Sequence, residues 1–184
     1  MLFRSKGRLR WFTREEITAL LAVTPEGAPA DRLAELRDLM VFLLDTGCRL
    51  GEALKLRWEH VGMESVMFMD TKNGSNRTVP LTARLRALMG SRRQEDGLPA
   101  FNISRWQAQR TFVLVRKKAG LGEDAVLHTF RHTCASILVQ QGVPIYSVAA
   151  WLGHSSIVVT QRYAHLAPSS LKGLAGVLDK CHEQ

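Results

Sequence analysis

The chain of 184 residues holds only three cysteines, Cys48, Cys134 and Cys181, too few and too scattered for a disulfide framework or a standard zinc knuckle. Cys48 and Cys134 sit in apolar or motif-bearing runs and read as reduced core thiols. No segment reaches the roughly 18 uninterrupted apolar residues of a spanning helix, and Met1–Arg10 lacks the apolar core of a secretion signal. These absences fit a reducing cytoplasmic or nucleoid compartment. Clusters of Asp and Glu at two-metal spacing are missing as well, so a metal-independent chemistry is preferred over that of a metal nuclease. Internal repeats, low-complexity tracts and repeated βαβ units are equally lacking.

What is present suits one domain: 46% of the residues are hydrophobic, enough for a sizeable core. The 25 Lys and Arg against 17 Asp and Glu leave a formal charge of +8. That surplus favours a polyanionic partner, nucleic acid or an acidic membrane surface, without choosing between them. Arg4–Arg10 reads as a solvated basic connector that could also touch a DNA backbone.

The pattern predicts many helices and one small antiparallel sheet, a mixed α+β fold that is predominantly helical. Thr13-Arg-Glu-Glu16 is a capping box that opens a helix to about Leu21. Leu33, Leu36, Leu39, Met40, Leu43 and Leu44 recur at helical spacing, and Gly47 supplies the stop. A short helix from about Leu50 to Leu56 follows. Val66–Met69 and Arg77–Leu81 read as strands joined across Asn73-Gly74. Thr82 caps a helix ending at Gly90, and Ser104-Arg-Trp-Gln107 opens one ending near Gly120. A helix after Phe130 stops at Gly142, and Pro144 starts one that stops at Gly153. A helix beginning at Ser155 or Ser156 carries Tyr163, and Leu171, Leu174, Val177 and Leu178 form an amphipathic end helix.

Four separated polar stretches offer groups suited to a phosphodiester. Transfer of a phosphoryl group needs a nucleophile, neutralised nonbridging oxygens and a proton for the leaving oxygen, and electrostatic stabilisation usually dominates. Arg49 stands at a helix start, where its fixed fork can hold two phosphate oxygens, although alone it reads as surface solvation. His128 and Arg131, three apart, share one helical face, while His132 points a quarter turn away and reads as a packed structural residue. Lys72 has three donors on a flexible stem, or is simply a solvated hairpin lysine. His154 follows a helix stop, where its imidazole can donate to a nonbridging oxygen. Tyr163, with an ordinary pKa near 10, needs a positive pocket to act as a nucleophile. Taken alone, it is a half-buried helix aromatic with a hydrogen-bonded hydroxyl.

In order and spacing, Thr46-Gly-Cys-Arg-Leu-Gly-Glu-Ala-Leu54, Thr71-Lys-Asn-Gly-Ser-Asn-Arg-Thr-Val-Pro-Leu81, Leu127-His-Thr-Phe-Arg-His-Thr-Cys-Ala-Ser136, and Trp151-Leu-Gly-His-Ser-Ser156 leading to Arg162-Tyr-Ala-His165 resemble the catalytic domain of the tyrosine recombinases, also called the phage integrase family. The resemblance implies that Arg49 and Arg131 clamp the scissile phosphate with help from His154. It implies that Lys72 is the general acid for the departing 5′ hydroxyl and that His128 handles the proton of the nucleophile. Tyr163 then forms a 3′-phosphotyrosyl bond, which a 5′ hydroxyl of the partner duplex resolves, so no metal, ATP or other cofactor is required. Glu52 and His132 match supporting positions.

The same resemblance implies double-stranded DNA as partner, a tetramer on DNA joined through the C-terminal helix, accessory DNA-bending proteins and no membrane. The expected boundaries are a basic linker remnant at 1–11, the catalytic domain at 12–167 and a C-terminal helix and tail at 168–184. The family's N-terminal core-binding domain is expected to be absent from this chain. The expectation is then a separated catalytic domain of a longer integrase, with a natural truncation as the other reading. Two other readings keep the fold: a catalytically silent DNA-binding remnant, and an enzyme like the type IB topoisomerases.

Overall fold

A computed structural model describes residues 9–69 and 76–168. The predicted hairpin tip with Lys72 and the end helix with Leu171, Leu174, Val177 and Leu178 lie outside the described residues.

Local signals start the helices where the sequence places them. Helix α1 (Arg14–Ala22) opens with the Thr13 hydroxyl accepting the Glu16 N–H at 3.2 Å, and Glu16 accepts the Thr13 N–H at 2.9 Å in return. Helix α2 (Ala30–Thr46) is the central pillar, burying Leu33, Leu36, Leu39, Met40, Phe42, Leu43 and Leu44. It packs against α3 (Leu50–Lys55), α4 (Ala83–Arg92), α5 (Arg105–Lys118) and α6 (Thr129–Gln140). Its end is fixed by Gly47 at φ +61°, a left-handed conformation that side chains with a Cβ adopt at a cost.

After α3 a single 3₁₀ turn (Trp58–His60) leads into β1 (Ser65–Phe68), which pairs antiparallel with β2 (Arg77–Pro80), Val66 opposite Val79. Both strands are one residue shorter or shifted relative to the sequence reading, and Val66 and Phe68 turn inward with the expected period of two. Helix α4 does not stop at Gly90. It continues to Arg92 because that guanidinium is held by Asp38, by Glu35 at 2.8 Å and by the Ala100 carbonyl at 3.2 Å. Helix α5 begins with the Ser104–Gln107 capping box.

Helix α7 (Ile145–Leu152) packs on α6, ends at Gly153 with φ +69°, and packs against α8 (Ile157–Gln161). Tyr163 is not on a helix. Helix α8 stops at Gln161, and Tyr163 occupies the turn that enters a 3₁₀ segment, Ala164–Leu166. Its ring inserts into a second apolar cluster with Cys134, Ala135, Val139, Val148 and Leu152, and that insertion sets the turn. Leu9 and Leu166 pack on the same cluster. The larger core joins α1 to α5 with the sheet and the start of α6. Among the described residues no helix is long and apolar enough to cross a membrane.

Candidate active site

The turn between α2 and α3 presents the first arginine. Thr46 donates to the Phe42 carbonyl at 2.7 Å and accepts the Cys48 N–H at 3.2 Å, which turns the chain outward. Arg49 then stands at the N-terminal cap of α3, its side chain 50% exposed. Glu52 holds it twice, accepting the Arg49 backbone N–H at 2.6 Å and Nη1 at 3.1 Å. The same carboxylate accepts both Nη groups of Arg77, at 3.0 and 3.1 Å. Burial tends to raise the Glu52 carboxyl, but the Arg77 bonds, the Arg49 amide and both guanidinium charges outweigh it, so the group lies below the usual carboxylate range.

Arg131 comes from the first turn of α6 and is 3% exposed. Its Nη1 donates to the Gly47 carbonyl at 2.6 Å, while the buried Nη2 finds no partner among the described residues. Burial first, and the charge of Arg49 second, push its pKa down to about 10, so it remains a cation at neutral pH. Gly47 serves two purposes: its left-handed turn ends α2, and its carbonyl aims the Arg131 guanidinium.

His128 caps the same helix, with its ring edge-on to that of His132 at 4.8 Å between centroids. Burial, then the charges of Arg131, Arg49 and Arg162, lower its pKa. The histidine that meets Tyr163 is His132, its Nδ1 2.5 Å from the Tyr163 hydroxyl. Burial, and then His128, Arg162 and Arg131, push His132 down to about 4, so it is neutral at pH 7. With the Nε2–H tautomer assigned, its Nδ1 accepts from the phenol. The Tyr163 ring is 2% exposed, and burial raises its hydroxyl pKa against the opposing pull of Arg162 and Arg131.

His154 follows the left-handed Gly153, with Nδ1 2.7 Å from the hydroxyl of buried Thr160. When Thr160 donates to Nδ1, Nε2–H is left free to donate elsewhere. Burial, and then the charges of Arg131, Arg49 and Arg77, push His154 down to about 4. The Arg131–Gly47 bond joins the start of α6 to the turn before α3, and Arg77 at the start of β2 lies against Gly153 in the turn after α7.

The structure therefore brings together Arg49, Glu52, His128, Arg131, His132, His154 and Tyr163, while Lys72 lies outside the described residues. A groove of about 1260 Å³ runs past the site, lined on one side by Arg49, Glu52 and His128 and along α5 by Arg105, Gln109 and Arg116. Its cations Arg49, Lys55, Arg57, Arg105 and Arg116 outnumber Glu52 and Glu59. Arg131, His132, His154 and Tyr163 do not line it. Two supporting residues carried no distinct signal in the sequence. Thr160 looks like any helical threonine, and Arg77 like a strand-end cation; only their partners reveal them.

Comparison with known proteins agrees with this geometry. The sequence model of the phage integrase family matches residues 10–170. The integrase of Escherichia phage P2 is 28% identical over 93% of this chain and 47% of its own length. Tyrosine recombinase XerD of Bifidobacterium longum is 30% identical over 86% of this chain and 59% of its own. The chain thus spans about half the length of these relatives. The catalytic domain of bacteriophage HP1 integrase superposes with a TM-score of 0.74 at 30% identity, covering 91% of this chain and 94% of that one. XerH recombinase in a pre-cleavage complex with its difH substrate shares the fold, with a TM-score of 0.74 at 21% identity over 97% of this chain and 57% of that one.

Proposed function

We propose that this chain, which belongs to the phage integrase family, cuts and rejoins double-stranded DNA at a specific site through a transient bond between Tyr163 and a 3′ phosphate. The observation that carries this reading is Arg131. A buried guanidinium with one arm fixed on Gly47 and the other without a partner among the described residues is a donor suited to an anion, and it stands beside Arg49, His128, His154 and Tyr163.

Arg131 and Arg49 bind the nonbridging oxygens of the scissile phosphate, and Nε2–H of His154 donates to one of them. The Tyr163 oxygen attacks phosphorus, forming the O–P bond as the bond from phosphorus to the 5′ oxygen breaks. The phenol proton passes to the histidine pair, with His128 the more open to solvent, and Lys72 protonates the leaving 5′ oxygen. Rejoining runs the same steps backwards with a 5′ hydroxyl of the partner duplex. One phosphodiester is exchanged for another, so the route needs neither ATP nor a metal. The groove cations supply the electrostatic attraction to the DNA backbone. Joining of protomers into a tetramer through Leu171, Leu174, Val177 and Leu178, with accessory DNA-bending proteins, belongs to this proposal.

The test is covalent capture. The chain is incubated with a pool of nicked duplexes randomised around the nick, and complexes resistant to denaturant are recovered and sequenced. Wild type is expected to yield an adduct on a 3′ phosphate at an enriched sequence, and Tyr163→Phe to yield none while still folding and binding the same duplex. An adduct that survives in Y163F, or that maps to another residue, overturns the reading.

A further inference from the structure

Arg77 lies within the Thr71–Leu81 stretch and has no part in the chemistry above, yet it is among the most constrained side chains near the site. It is the first residue of β2, and its side chain is 16% exposed. One face of the guanidinium lies over the Phe68 ring, 4.5 Å from the centroid. The other side is closed by the turn after α7: a Cβ on Gly153 would fall 2.6 Å from Nη1 and 2.8 Å from Cδ of Arg77. Packed against these two neighbours, its fork meets both oxygens of Glu52, at 3.0 and 3.1 Å. Glu52 in turn holds the Arg49 backbone and side chain.

We propose that Arg77 is a positioning residue for the phosphate clamp. It fixes Glu52, and through Glu52 Arg49, while filling the space beneath the turn that carries His154. Strand cleavage therefore depends on the two-pronged shape of Arg77 and not on its charge alone. The physical reason lies in Arg49, whose long and half-exposed side chain would otherwise sample many rotamers before meeting a phosphate. A carboxylate held by one arginine can hold another in register. A lysine at 77 would keep the charge but lose the fork, leaving Glu52 free to rotate. Small misplacements of this kind are costly in a site that works by preorganisation.

This inference rests on the phosphate-clamp reading, and its test uses the duplex recovered by covalent capture. Single-turnover adduct formation at saturating DNA, DNA affinity and melting temperature are measured for wild type, R77K, R77A, E52Q and R77K/E52Q. R77K is expected to slow adduct formation about 10- to 100-fold, the scale of a misplaced first-contact group. Its Kd should change less than about threefold, and its unfolding should remain cooperative. In the E52Q background the same substitution should cost less than about threefold, because the carboxylate through which it acts is gone.

A pH series gives a readout that packing alone would not move. Glu52 faces Arg49, Arg77, Arg131 and Cys48. Without Arg77, burial dominates and the carboxyl rises, so lowering the pH from about 7 to about 5 should slow R77A more than wild type. Wild-type rates in R77K, an equal penalty in both backgrounds, or a loss explained wholly by Kd would each overturn the inference. An adduct at Tyr163 that is indifferent to R77K removes this inference and leaves the proposed function standing. No adduct in wild type removes both.

Discussion

Gly47→Ala should be among the most damaging single substitutions in the chain, although it adds one methyl group. Two separate penalties apply. Gly47 sits at φ +61°, where a residue with a Cβ costs roughly 1–2 kcal/mol. The new Cβ would also fall 2.5 Å from Cδ2 of Leu152 and 3.0 Å from Sγ of Cys134, both packed in the second core. Forcing a methyl into such a site costs typically about 1–3 kcal/mol. Together these give about 2–5 kcal/mol, or about 4–20 °C in melting temperature for a domain of this size.

Urea denaturation followed by far-UV circular dichroism reads the first figure directly, provided the slope m is unchanged. Two further variants separate the terms. Asn tolerates the left-handed conformation better but carries the same Cβ, so G47N should recover no more than the conformational part. In G47A/L152A the missing Leu152 methyls relieve the clash, and the double substitution should cost less than the sum of the two single ones. A G47A chain within about 0.5 kcal/mol of wild type would refute the argument, as would full additivity with L152A.

Other outcomes follow from the same geometry. His132 and His154 are neutral in the fold, with pKa values of about 4 against an ordinary 6.5, so the unfolded chain binds protons more readily. Their contribution is present above about pH 6.5 and lost as the pH falls toward 4; stability measured in urea should drop across that window, and a flat profile in wild type would count against it. Arg92→Ala strands Glu35 and Asp38 and should cost about 2 kcal/mol in the same assay, less than the roughly 3–5 kcal/mol of a fully buried pair because all three side chains keep some solvent. His132→Phe leaves the Tyr163 hydroxyl without its acceptor in an apolar cluster and should cost about 1–3 kcal/mol more than His132→Asn, whose amide oxygen can take the place of Nδ1; equal stabilities would show that the phenol does not depend on this bond.

Much of this fold was legible because its signals are local. The Thr13–Glu16 and Ser104–Gln107 capping boxes each involve residues three apart, and Gly47 and Gly153 end their helices as glycines with positive φ. What could not be read depends on distant partners. Arg92 extends α4 past Gly90 because Glu35 and Asp38 wait on α2, 57 and 54 positions earlier. Tyr163 leaves the helical path because the cluster of Cys134, Ala135 and Leu152 takes its ring. The site shows the same division. The residues that meet the phosphate in the proposed mechanism stand in recognisable strings, whereas Arg77 is 25 residues from Glu52 and Thr160 six from His154, with nothing in their own neighbourhoods to mark them. For His132 the sequence suggests a packed structural residue a quarter turn away, and only the fold names its partner, the hydroxyl of Tyr163.

The distribution of unmet polar needs argues for where the anion belongs. Most of the buried charge in this domain is closed off by the fold: Arg92 is held by two carboxylates, and Glu52 is surrounded by donors. Among the described residues Arg37, Arg77, Arg92 and Arg116 each leave a buried Nε unpaired, whereas Arg131 leaves a terminal Nη2. It is almost fully buried, is destabilised by the charge of Arg49, and is paired on one arm only among the described residues. A buried donor without an acceptor costs about 1–3 kcal/mol, and crowding two guanidinium groups adds to that. A fold that needed only stability would place an acidic residue between them, and the nearest, Glu52, is instead turned toward Arg77 and Arg49. In the proposed mechanism the unmet donor, the crowded cations and the neutral imidazole of His154 are all answered by the same ligand, the scissile phosphate. In the proposed mechanism the penalty retained at Arg131 in the free domain is returned as phosphate binding.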